Sequence, residues 1–175
     1  MLRPPHHARR PAEDAGELHA IVVILETLAL RTAPPPEPRA IDELRAANGR
    51  LAAAGDDGAA AVDADAEIHA LLTERCGDAQ VLGLLEDART ALDRADPAPV
   101  PGGAEVARAI REHAAIIDAL AARDPDAARD AMQRHLNRVA REFQRQYEGA
   151  ADAAAPAPTV GDRARPEPAA RRGGD

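Results

Sequence analysis

Residues 111–139 read REHAAIIDALAARDPDAARDAMQRHLNRV and hold two helices with the turn between them. Val106, Ile110, His113, Ile117 and Leu120 recur at helical spacing before the turn, and Ala128, Met132, His135, Val139 and Phe143 recur after it. Asp124 suits an N-cap, Pro125 suits the first helical position, and Asp126 complements the positive end of the helix dipole. The spacing therefore predicts helices over about residues 104–123 and 125–147. So short a turn packs the two helices as an antiparallel hairpin. His113 and His135 lie about three turns to either side of it, so they should meet at one level.

Working outward, the same period predicts four earlier helices, over about residues 16–31, 38–54, 60–75 and 78–94. In the first, Leu18, Ile21, Val22, Leu25, Leu28 and Ala29 recur at helical spacing, and Pro34-Pro35-Pro36 ends it. The second is carried by Ile41, Leu44 and Leu51, is weakened by Gly49, and is closed by Gly55-Asp56-Asp57-Gly58. Gly77 stops the third and Asp78 is a candidate N-cap for the fourth. Residues 96–103 form a loop by their Pro and Gly content. No strand pattern competes. The expected fold is an all-α antiparallel bundle of about six helices. Residues 1–15 are expected as a disordered leader, 16–149 as one ligand- and metal-binding domain, and 150–175 as a disordered tail.

Composition bounds the function. The formal charge is −8, so the surface as a whole should repel nucleic acid. All 22 basic residues are arginine, in keeping with GC-rich coding, so arginine and alanine counts carry little functional weight. Phe143 and Tyr147 are the aromatic residues, which leaves little stacking surface for bases. Cys76 stands alone, which excludes an internal disulfide and a Cys-based zinc motif. The start lacks the apolar region of a secretory signal, and no run approaches the roughly 20 apolar residues of a membrane span. A cytoplasmic location is expected.

Four residues carry the chemistry. Asp65 and His69 are one turn apart on the inward stripe of the third helix and can chelate a single ion. His113 and His135 join them from the terminal hairpin. Three imidazoles and one carboxylate suit a divalent metal: zinc first, with nickel, iron, cobalt and manganese as alternatives. Taken singly, each of these histidines is more often a hydrogen-bonded core residue, and Asp65 could instead pair with Arg89 or Arg111. Burying all four without a metal is harder, because every polar group must then be satisfied. Glu112 should point off the site, as a surface residue or a support behind a ligand rather than a ligand itself. Arg89 and Arg111 are candidates to bind an acidic ligand.

The stretches ELHAIVVILETLALRTA (17–33), DADAEIHALLTERCGDAQVLGLL (63–85) and the hairpin quoted above resemble the C-terminal effector-binding domain, FCD, of GntR-family transcription regulators. Its metal-binding branch places an Asp-x-x-x-His pair and two later histidines around a divalent ion, which map onto Asp65, His69, His113 and His135. The resemblance implies a small carboxylate effector held near the ion, a homodimer, and DNA contact only through a winged helix-turn-helix that this chain does not carry. The family often has an arginine four residues before the glutamate of its LE pair, where this chain has Val22 before Glu26. A non-enzymatic sensor is therefore expected. The alternative is a metal-dependent helical-bundle enzyme, a hydrolase or thiol transferase of the DinB-like kind, which would need a general base beside the ion.

Overall fold

The computed structural model describes residues 11–95 and 101–154. Among these there are six helices and no strand: α1 (Pro11–Thr32), α2 (Pro38–Ala54), α3 (Gly58–Thr73), α4 (Ala79–Ala95), α5 (Gly103–Ala121) and α6 (Pro125–Ala154). The termini follow local chemistry. Asp57, Asp78 and Asp124 each accept a hydrogen bond from a backbone N–H two or three residues on, at 2.9–3.1 Å, which satisfies a donor the first helical turn would leave open. Pro38 and Pro125 open α2 and α6, where a missing N–H costs nothing. Arg123, at φ 58°, makes the left-handed turn between α5 and α6.

The helices pack as two hairpins, α2 with α3 and α5 with α6, joined through α2 against α5. The first helix lies along α6 and α3 and carries α4 on its other side. The main core joins Leu44, Leu51, Ile68, Ile116, Ile117 and Met132. A second small cluster of Val22, Leu85 and Ala88 seals α1 to α4. None of the described helices is long and apolar enough to cross a membrane.

Three expectations are revised. The first helix begins at Pro11, so the expected leader is helical over its last five residues; residues 1–10 lie outside the described residues. The last helix continues to Ala154 rather than stopping near 147; residues 155–175 lie outside the described residues, as do loop residues 96–100 and the Phe143 side chain. On α1, Ile21 is 44% exposed, while Glu26 is 3% exposed. That helix is apolar on nearly every side, so spacing alone does not choose its rotation. The partners of Glu26 choose it.

Gly49 and Gly83 sit on exposed helical positions where an added Cβ meets nothing within 4 Å. Each therefore contributes backbone entropy to the unfolded chain without serving the folded one. Replacing either with alanine should raise stability by about 0.5–1 kcal/mol. Thermal melts of Gly49→Ala and Gly83→Ala check this, the expected outcome being a higher midpoint for both.

Candidate metal centre

Helical register brings three imidazoles from α3, α5 and α6 to one point. His69 Nε2 and His113 Nε2 each lie 3.2 Å from His135 Nε2. The hairpin argument for His113 and His135 thus holds at atomic distance. Asp65, one turn before His69, lies at the edge of the cluster: one carboxylate oxygen is 3.7 Å from His69 Nε2 and the other 3.7 Å from His113 Nε2. All three histidines are buried, whereas the Asp65 side chain is 39% exposed.

The far ring nitrogens explain why the near ones converge. Nδ1 of His69 lies 2.7 Å from Glu26 Oε2, and Glu26 Oε1 accepts a hydrogen bond from Arg89 at 2.6 Å. Nδ1 of His135 lies 2.8 Å from Glu112 Oε2, and Glu112 also accepts from Arg138 at 2.8–2.9 Å. An ionised carboxylate can only accept, so both Nδ1 atoms must donate. Each ring, when neutral, then presents its Nε2 lone pair to the centre. His113 is different: its buried Nδ1 has no hydrogen-bond partner among the described residues.

Titration follows from these contacts. Burial favours the neutral form of Glu26, but His69 and Arg89 outweigh it and hold the carboxyl at about 2. Burial likewise opposes charge on His69, yet Glu26 and Asp65 prevail and raise it to about 9. Burial, the other two imidazoles and Arg138 push His113 down to about 2. Burial and His69 lower His135 against the opposing pull of Glu112.

This donor set fits a metal ion. At a metal–nitrogen distance of about 2.0–2.1 Å, neighbouring ligands stand about 3.0 Å apart in an octahedral shell and about 3.4 Å apart in a tetrahedral one. The two 3.2 Å separations fall between these values. His69, His113 and His135 could therefore hold an ion with little movement. Asp65 would have to close in to join them, and it stands on the side that opens to a cavity of about 300 Å³. Leu51, Val62, Leu92, Val106 and Val139 form much of the cavity wall, and Asp65, His135 and Arg138 also line it.

The family model described as FCD domain matches residues 17–138. The chain belongs to the FCD domain family. No curated protein sequence matches it. The FCD match spans Glu26 and every residue of the imidazole cluster. Val22 is buried with Leu85 and Ala88, and the counter-charge to Glu26 comes from Arg89 on α4.

Several sequence expectations change at this site. Arg89 is engaged with Glu26 rather than facing the cavity, and Arg111 is exposed and outside the cavity wall. The arginine on the wall is Arg138, one turn past His135. Glu112 is the supporting residue that the sequence allowed: it faces away from the imidazole cluster and backs His135. Glu26 was detectable as a lone carboxylate in the apolar run of α1, four residues from Val22 and three from Ala29.

The shifts fix a pH dependence for the metal-free protein. The raised value of His69 contributes stability that is complete below pH 6.5 and lost as pH climbs through about 9. The lowered value of Glu26 contributes stability that is complete above pH 4.5 and lost as pH falls through about 2. His113 and His135 oppose acid: below pH 6.5 the unfolded chain takes up their protons before the folded one does. The metal-free domain should therefore be most stable near pH 6.5. Glu26→Gln should cost about 3 kcal/mol there and remove the alkaline decline. Melts in chelator across the pH range test both points.

Proposed function

We propose that this FCD domain binds a divalent metal ion through Asp65, His69, His113 and His135, and uses the ion and the adjoining cavity to sense a small carboxylic acid. FCD domains are effector-sensing parts of GntR-type regulators, and the family membership of the chain supports the same role here. The observation that carries the reading is the convergence of three Nε2 atoms, two of them on rings whose tautomers are set from behind by carboxylates. Zinc suits three imidazoles and one carboxylate best, since four such ligands complete its tetrahedral shell. The ion would supply a positive charge where Asp65 and His135 line the cavity, for an acid to meet.

The role of each residue follows from its position. His69 and His135 are the strongly oriented donors, because Glu26 and Glu112 fix their rings and raise their basicity. His113 closes the cluster from α5. Asp65 is the ligand on the cavity side, best placed to respond to an incoming acid. The regulator would act in the cytoplasm as a homodimer and reach DNA through a winged helix-turn-helix. Ile21, Ile24 and Leu84, large apolar residues exposed on the packed pair α1 and α4, are the surface a second copy would cover. Effector binding would then shift the balance between two dimer arrangements by its differential affinity for them.

The enzymatic alternative has less support. Glu26 and Glu112 face the Nδ1 atoms, so neither stands on the cavity side where a general base would act.

Elemental analysis of the purified domain after zinc loading and gel filtration should give one ion per chain. His135→Ala should lose stoichiometric metal and the zinc-induced rise in melting temperature. Wild-type protein without metal, or a His135→Ala variant indistinguishable from it in metal content and stability, would overturn the proposal.

A further inference from the structure

We infer that the cavity beside the three imidazoles selects a monocarboxylate with an apolar body and rejects acids carrying a second carboxylate. The inference rests on the metal-and-carboxylate reading above and narrows it to one class of acid. Arg138 is the arginine among the described residues that line the cavity, and its charge is already matched by Glu112 at 2.8 Å and Glu142 at 3.1 Å. Much of the rest of the wall is aliphatic, with Leu51, Val62, Leu92, Val106 and Val139 on it. The carboxylates on it are Asp65, Asp93, Glu105 and Glu142; His19 also lines it, and burial lowers the pKa of that imidazole and so favours its neutral form.

Helical register sets where those acids stand. Glu105 precedes His113 by eight residues on α5, and Glu142 follows His135 by seven on α6. At 1.5 Å per residue both lie about 10–12 Å along the helix axes from the imidazoles. His113 and His135 meet at one level of an antiparallel hairpin, so both acids lie toward the same end of the bundle. An acid anchored by one carboxylate at the centre directs its far end toward them. A second carboxylate there would lose water against aliphatic walls and approach like charge, and both effects oppose binding. A methyl-terminated chain of the same length meets neither penalty and buries apolar surface. Rejection of this kind produces specificity without any added attraction for the favoured ligand.

Valerate and glutarate have the same number of carbons and differ in the second carboxylate, so they isolate the effect. Calorimetric titration of the zinc-loaded domain should give a Kd for valerate tighter than that for glutarate by about tenfold or more, with tricarballylate weaker still. The double variant Asp93→Asn/Glu105→Gln leaves the partners of Arg138 intact and keeps a capping side chain at 105, and it should narrow the ratio. Equal or tighter binding of glutarate, a double variant with an unchanged ratio, or no acid binding by protein that holds zinc would each overturn the inference while leaving the metal reading in place. Protein that fails to retain zinc, measured in the same samples, would overturn both.

Discussion

The structure depends on two carboxylates, Glu26 buried and Glu112 half-buried, that face away from the point they control. Glu26 and Glu112 each join an arginine to the Nδ1 atom of a histidine. A carboxylate taken out of water is stable only when its lone pairs are met, and here a guanidinium and an imidazole N–H meet them. The consequence appears across the ring, where two Nε2 lone pairs are turned toward one another and toward His113. Lone pairs held this close repel unless a cation lies between them. In the metal-free protein that cation is the proton on His69, which Glu26 and Asp65 hold there against the cost of burial. A metal ion must displace this proton, so metal affinity should be linked to pH.

The same contacts tie the outer helices to the centre. Arg89 stands on α4 and reaches His69 only through Glu26 on α1. Apolar packing between α1 and α4 centres on Val22, Leu85 and Ala88, with Leu25 and Leu92 beside them. The ion pair adds a polar link between the same two helices, and it accounts for a glutamate turned inward while Ile21 and Ile24 face out. On the other side, Arg138 belongs both to the Glu112 pair and to the cavity wall, so a ligand that disturbs it is felt at His135.

Much of this arrangement is legible in the sequence. Proline and aspartate mark the starts of α2 and α6, and α2 has the bounds that its apolar spacing predicts. The approach of His113 and His135 follows from a tight turn and equal distances from it. Asp65 and His69 follow from the i, i+4 rule. The role of Glu26 is not legible, because a helix apolar on nearly every side has no preferred face until a partner chooses one. Nor does the sequence reveal that Arg89 pairs with that glutamate, since α1 and α4 are adjacent only in the folded bundle. Arg89 and Arg111 looked like ligand contacts because a charge on a helix carries no address; Arg138 reaches the cavity because its register follows that of His135.

X-ray absorption at the zinc edge of the zinc-loaded domain tests the central claim most directly. The account predicts a first shell with three imidazole nitrogens at about 2.0–2.1 Å and one oxygen ligand, with the outer-shell scattering of ordered rings. A shell with fewer than three imidazoles, or one dominated by oxygen, would contradict it.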